Sequence, residues 1–559
     1  MALNRQLVLY SIVAYILLSF YAAYFKFFPT IVSSGFSNFL IIAVLTVLLG
    51  ILVLEPFQLK TTNELYLVLP HYILFAFITR VLPTLRFTYQ PLSDPYHYSI
   101  CTLNIVDYGT LDPVLSWWYG QVQQQLTWPN LHLVGSFLMD LTGIHSIEFL
   151  RYVAPMGGTL FFLGVFLLAK EVTGNIKIAL LAGLFAATGD SVIFYQSEYH
   201  PQGLAFVYFV FMIALLVRYF SRPTPMNGFL AIMCTIVFSL SHHFSSIFIG
   251  LLSAFIIFYI VFFDKKLSER FAFKNSRPLQ KLLVLWIIIA VTAFFNHIFT
   301  YPAFWTIIRK TLDKSEVSPR GALLTMGSQV PLQVSFLNSM KYCLLLLGII
   351  SILYIYRSRN KKEFLCFLIV IGVVIAGVVG TFIAFIPVDR LIGFYIPIIA
   401  LFAALTVYRF YNDWFVHWSK QLKLIIILGV SLMILLAGPL NFYAPALIFH
   451  DSSSNPYYWH SNDFSGFSTY GVPGDWIKDY TLQRSIFTIY NNLDMIPYFY
   501  GQNPGIYGQN PGDQGHQNIV YSIFNVNFMR QQTLKNPESE IATTNLIYTS
   551  GRHGISING

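Results

Sequence analysis

Apolar residues run through this chain in long unbroken stretches, and each stretch ends in a short polar or basic segment. A helix needs about 20 apolar residues to cross the ~30 Å hydrocarbon core of a bilayer. Runs of that kind lie near 7–25, 38–55, 64–83, 148–171, 176–195, 200–220, 227–243, 245–264, 280–299, 341–357, 363–386, 389–409 and 421–444. The pattern predicts about thirteen transmembrane helices, apolar at their centres, with the two termini on opposite sides. Residues 128–144 are apolar as well, but counting them as a span would invert everything downstream. They read as a juxtamembrane or re-entrant helix. Three longer polar stretches remain: a first loop (84–147), a second loop (300–340) and a tail (446–559). The tail shifts to Asn, Gly, Ser, Tyr and Gln, with alternating patches such as 485–490 and a doubled GQNPG at 501–505 and 508–512. It reads as a small, mainly β or α/β domain appended to a membrane domain at 1–445, with the doubled motif as a surface turn.

Composition strengthens this picture. Of 559 residues, 56% are hydrophobic and 11% charged, against roughly 25% charged in soluble domains. So little polar surface excludes an ordinary cytosolic enzyme and a disordered chain. Cys101, Cys234, Cys343 and Cys366 are too few and too scattered for a disulfide framework or a zinc site. The formal charge of +9 raises the question of nucleic acid, and the placement of the basic residues answers it. More than half of the 34 Lys and Arg, including the cluster Lys265, Lys266, Arg270, Lys274, Arg277 and Lys281, fall on short segments of one side. That asymmetry is the positive-inside signature. It predicts a cytoplasmic N-terminus, an extracytoplasmic C-terminus, lipid as the surrounding partner and no nucleic-acid partner. Met1–Arg5 leads directly into a full-length span, without the small-residue cleavage site of a signal peptide.

Scarce charges in a membrane protein are the first place to look for chemistry. In this topology four groups gather at the outer surface. Asp94 and His97 follow the third span; a carboxylate there can act as a general base on a hydroxyl or amine, or simply open a turn. Glu198, His200 and Gln202 sit in a four-residue turn, as a site or as a helix cap before Pro201. His242 and His243 are adjacent, so they point different ways on a helix and do not form a two-His metal site. Asp389 and Arg390 open the twelfth span, where the Arg can grip a phosphate bidentately or snorkel to headgroups. Arg151 opens the fourth span in the same way. A transporter typically places its charges nearer the midplane.

The landmarks between 94 and 220 resemble the multi-spanning GT-C glycosyltransferases, which include the protein O-mannosyltransferases and the lipid A aminoarabinose transferases. They are Asp94 in the first loop, Gly109, the helix start Trp128-Pro129-Asn130-Leu131 ending at Leu141-Thr142-Gly143, Arg151-Tyr152, the basic turn Lys170 to Lys177, the small-residue run 178–190, and Glu198. Arg390 followed by 394–405 matches the late Arg-then-Pro span of such enzymes. The chain departs from the family in placing two spans before the one that leads into the first loop. Trp117-Trp118-Tyr119-Gly120 is similar to the WWDYG element of oligosaccharyltransferases but lacks its Asp and lies in the first loop, so it is set aside.

The resemblance implies an all-α polytopic fold of GT-C type, with outer juxtamembrane helices and a small C-terminal domain. It implies transfer of a sugar from a polyprenyl- or dolichyl-phosphate carrier to a protein, lipid or glycan acceptor. Asp94 would then activate the acceptor, Glu198 support the site and Arg390 hold the donor phosphate, with His97, Arg151, His200, His242 and His243 lining it. A divalent metal is left open, although the first loop holds no Asp-x-Asp or Asp-Glu pair. The rival reading is a lipid-linked-sugar flippase or transporter without catalysis.

Overall fold

The computed structural model describes residues 9–20, 35–59, 61–86, 98–99, 101–103, 105–106, 109, 129–222, 224–242, 245, 248–250, 277–300, 343–351, 388–414 and 417–443, together with strand segments 486–488, 520–525, 544–549 and 553–558. It divides into two compact units, one of residues 1–86, 127–131 and 151–455, the other of residues 87–126, 132–150 and 456–559.

The first unit is helical. An apolar chain in lipid must satisfy its own backbone N–H and C=O groups, and a helix does so within one segment. The helices are α1 (Leu9–Phe20), α2 (Gly35–Gln58), α3 (Leu65–Arg86), α4 (Asn130–Thr142, of which the first two residues belong to this unit), α5 (Ile147–Val153, from Arg151 onward), α6 (Met156–Thr173), α7 (Ile176–Ala187), α8 (Asp190–Ser197), α9 (Pro201–Ser221), α10 (Pro225–Ser239), α11 (Arg277–Thr300), α12 (Val388–Arg409) and α13 (Lys420–Tyr443). Local signals set their ends. Gly174, at φ 69°, closes α6, and the Asn175 side chain accepts from the Lys177 N–H to open α7. Thr224 caps α10 ahead of Pro225 in the same manner.

Helices approach closely where glycine leaves room. A Cβ on Gly164 would meet Val210 at 2.4 Å, on Gly183 the Phe162 ring at 2.5 Å, and on Gly393 the Phe206 ring at 2.1 Å. These contacts draw α6 onto α9 and α7, and α12 onto α9. Phe206, Phe209, Phe238, Phe248 and Phe394 form an aromatic core among α9, α10, α12 and residues 248–250, with ring centroids 4.6–6.3 Å apart.

Among the described residues four helical stretches are long and apolar enough to cross a membrane: Leu65–Leu82, Phe149–Thr173, Pro201–Tyr219 and Gly393–Trp414. Two expectations change. The run at 176–195 is not one straight span: Ile176–Ala187 and Ser191–Ser197 meet at 71°. The break falls at Thr188 and Gly189, where a Cβ on Gly189 would strike Ile396 at 2.5 Å. Nor are the spans apolar throughout, because α3 buries both His71 and Arg80. The spans expected at 245–264 and 363–386 fall mostly or wholly outside the described residues.

In the second unit, the described part of α4 belongs to a helix of 13 residues, roughly 20 Å long and short of a bilayer crossing. His132 on α4 is fully buried. Its Nδ1–H points to the Tyr98 carbonyl at 3.1 Å, with the Thr102 hydroxyl at the same distance. Burial lowers its pKa to about 4, against the opposing effect of the Tyr98 hydrogen bond, so the ring is neutral. Burial likewise pushes the Cys101 thiol up to about 12. The tail contributes a four-stranded sheet, β1 (Ile486–Thr488), β2 (Val520–Asn525), β3 (Thr544–Thr549) and β4 (His553–Asn558), in the order β1-β2-β4-β3. β1 and β2 are parallel, and β4 runs antiparallel to both β2 and β3.

Candidate functional site

The turn from α8 to α9 holds the densest group of candidate residues. Glu198 ends α8 in an extended conformation (φ −124°, ψ 154°) and is 2% exposed. The Tyr199 hydroxyl donates to the Leu131 carbonyl at 2.7 Å, which ties the turn to the start of α4. His200 caps α9: its Nδ1 accepts from the Gln202 N–H at 3.0 Å, so the proton of a neutral ring resides on Nε2. The next residue, Pro201, has no N–H to satisfy and suits the first helical position. Gly203 is required here, because a Cβ would stand 2.1 Å from the Tyr195 carbonyl oxygen. His242, also buried, places its ring 6.3 Å from that of His200, and Tyr195 lies 4.9 Å from His200 on another side. A carboxylate and two imidazoles are thus brought together from two parts of the chain, all three side chains buried.

Against Gln196, two residues before Glu198, stands a residue with no counterpart among the expected site residues. Arg80, on α3, is fully buried. Its Nε and Nη2 donate to Gln196 Oε1 at 3.3 and 3.2 Å, and its Nη1 to Thr79 Oγ1 at 2.7 Å. α6 makes room for it with Gly158, where a Cβ would collide with Arg80 Cδ and Nε at 2.6 Å. The available signal was an Arg within an apolar run, which is costly in a membrane and so marks function by default.

A second polar group sits nearer the other end of α3. His71 Nδ1 lies 3.0 Å from Glu55 Oε1 on α2 and 3.1 Å from Ser11 Oγ on α1, and Tyr15 donates to the His71 carbonyl. All of these groups are buried.

Of the other candidates, Arg151 on α5 is 4% exposed, with its guanidinium carbon 5.8 Å from the Tyr152 ring centroid. Arg390 lies in the first turn of α12, one turn before Gly393, whose helix face abuts Phe206 on α9. That puts the start of α12 near the start of α9. Asp94, His97 and His243 lie outside the described residues, as does the side chain of Arg390. Among the described residues no three His, Cys, Asp or Glu side chains gather where a metal ion would sit.

No family model matches the chain, and no curated protein matches it in sequence. Solved structures do match it. ArnT from Cupriavidus metallidurans, crystallised with undecaprenyl phosphate, superposes with a TM-score of 0.53 at 10% identity over 89% of this chain and 99% of its own length. The fold is ArnT-like. The apo form of the same protein gives a TM-score of 0.53 at 9% identity with the same coverage. At such identities the likeness concerns the arrangement of helices, and it accords with the GT-C resemblance drawn from the landmarks.

Proposed function

We propose that this chain is an integral-membrane glycosyltransferase of GT-C type that moves a sugar from a polyprenyl- or dolichyl-phosphate carrier to an acceptor at the extracytoplasmic face. The observation that carries this reading is the gathering of Glu198, His200 and His242 at one end of a helical unit in a chain whose fold matches nearly the whole length of ArnT. ArnT was crystallised with undecaprenyl phosphate, and a carrier of that class suits a protein surrounded by lipid.

In the proposed reaction an acceptor hydroxyl or amine attacks the anomeric carbon with inversion. The bond from that carbon to the phosphate oxygen breaks, the polyprenyl phosphate leaves, and the acceptor's proton passes to Asp94. The largest stabilisation is owed to the charge growing on the phosphate, which falls to Arg390 or another basic residue. Glu198 supports the site, and His97, Arg151, His200, His242 and His243 line it. The N-terminus is then cytoplasmic and the tail extracytoplasmic, as the basic loops indicate.

The test uses the full-length protein in nanodiscs with a polyprenyl phosphate sugar labelled in both sugar and lipid. Wild type is expected to release free polyprenyl phosphate as it labels the acceptor. Asp94→Asn should abolish both while folding normally, and Glu198→Gln should slow both without abolishing them. Full activity in Asp94→Asn would remove Asp94 from its role. Passage of intact lipid-linked sugar across the bilayer without phosphate release would replace the enzyme with a flippase.

A further inference from the structure

We propose that Arg80 is a positioning residue: it turns the Gln196 carboxamide so that Nε2 donates to a phosphoryl oxygen on the head group of the lipid-linked donor. This rests on the proposed reading and deepens it, since neither Arg80 nor Gln196 was among the residues expected at the site.

The argument begins with the chemistry of the pair. A guanidinium carries donors and no acceptor. The Gln196 group that faces Arg80 at 3.2 and 3.3 Å must therefore be its oxygen, which fixes the amide without ambiguity and turns the NH2 group away. Gln196 is 1% exposed, and among the described residues its Nε2 has no hydrogen-bond partner. Buried donors are nearly always satisfied, so one left over at an otherwise well-packed site points to a partner that arrives from outside. Gln196 lies two residues before Glu198 and one residue after Tyr195, whose ring is 4.9 Å from that of His200; the orphaned donor thus lies beside the candidate site in the chain.

The fork is also held in place. Thr79 accepts from Nη1 and itself donates to the Phe75 carbonyl at 2.9 Å. Gly158 supplies the slot in which the guanidinium lies, and a Cβ on Gly157 would stand 3.9 Å from the Gln196 Cγ. A pre-set amide N–H backed by a fixed positive charge favours an anionic oxygen over a neutral one. Phosphoryl oxygen is the anionic class that the proposed donor brings. Arg80 acts through Gln196 and needs no contact with the ligand itself.

Gln196→Glu provides the discriminating variant. A carboxylate accepts from Arg80 as well as or better than the amide does, so a purely structural role predicts an unchanged or improved protein. It also replaces the orphaned donor with a negatively charged acceptor. The full-length protein in nanodiscs is titrated with undecaprenyl phosphate, with undecaprenol and with inorganic phosphate, following the ligand-induced shift in melting temperature, and the donor KM and kcat are measured in parallel. Wild type should bind undecaprenyl phosphate and not undecaprenol. Gln196→Glu should bind the phosphate at least tenfold more weakly, the loss expected for one charge-assisted hydrogen bond, while its ligand-free melting temperature is unchanged or raised. Arg80→Lys keeps the charge without the fork, so the amide is no longer locked; donor KM should rise several-fold at near-constant kcat. Inorganic phosphate should compete with the lipid in wild type if the phosphoryl group alone is recognised, and should fail to compete if the lipid tail must seat it; either result identifies the phosphate source and upholds the site. Gln196→Glu and Arg80→Lys binding undecaprenyl phosphate as wild type does would overturn this inference and leave the proposed function standing. Wild type failing to bind undecaprenyl phosphate at all would overturn both.

Discussion

Helix α3 carries two buried polar groups, His71 and Arg80, nine residues and therefore roughly 14 Å apart along its axis. Around His71 three side chains from α1 and α2 converge, and the atom left without a partner there is Glu55 Oε2, an acceptor. Around Arg80 the fork is taken up by Gln196 and Thr79, and the atom left over is Gln196 Nε2, a donor. Both sites are equally dry, yet they offer opposite polarity. Under the proposed function, the free N–H at the Arg80 end would receive an anionic head group, and the acceptor at the Glu55 end would not.

Breaking this contrast starts with the largest effect, at a third buried group. His132 in the second unit also leaves an atom over, its Nε2, but there it is the lone pair of a neutral ring. Its folded pKa is lowered to about 4 from an ordinary 6.5, so the unfolded chain binds more protons between those values. Stability then rises with pH across that window and falls as pH drops from about 6.5 towards 4, by on the order of 3 kcal/mol. Melting curves across this range should show the loss in wild type and a flatter profile in His132→Asn. Equal slopes would mean that the ring is not held neutral by burial.

Gly158→Ala comes next. The new methyl must displace the Arg80 guanidinium from its slot, at a cost of about 2 kcal/mol. Donor KM should rise as the Gln196 amide is released. Wild-type stability together with wild-type KM would show that the slot does not position Arg80. Glu55→Gln is the smallest perturbation. It replaces the carboxyl that faces His71, for about 1 kcal/mol of stability, and should leave donor binding untouched. Weakened donor binding in this variant would erase the distinction between the two ends of α3.

These sites were unequally legible in the sequence. Glu198 and His200 stood out because an acid, an imidazole and an amide crowded a short turn around Pro201, and the cap geometry is local. Arg80 and Gln196 are 116 residues apart, so no periodicity or motif links them, and an Arg near a span end reads first as an anchor to headgroups. The Glu55–His71 pair was hidden in the same way, by lying in runs whose average is apolar. The bend at Thr188 and Gly189 escaped notice because hydropathy continues across it, and Ile396 of α12 packs where a Cβ on Gly189 would stand. The reading of 128–144 as something other than a span came from the sidedness of the basic loops, and α4, at 13 residues, is too short to cross a bilayer. The ArnT-like fold was foreshadowed by the order of landmarks between Asp94 and Glu198, although identity to ArnT is only 10%.

The central claim is tested most directly by a single-turnover assay with doubly labelled polyprenyl phosphate sugar on wild type and Asp94→Asn in nanodiscs. The account predicts that wild type releases one polyprenyl phosphate for each sugar transferred and that Asp94→Asn releases none above the uncatalysed background. Stoichiometric transfer by the variant, or movement of the intact lipid-linked sugar with no phosphate released by wild type, would contradict it.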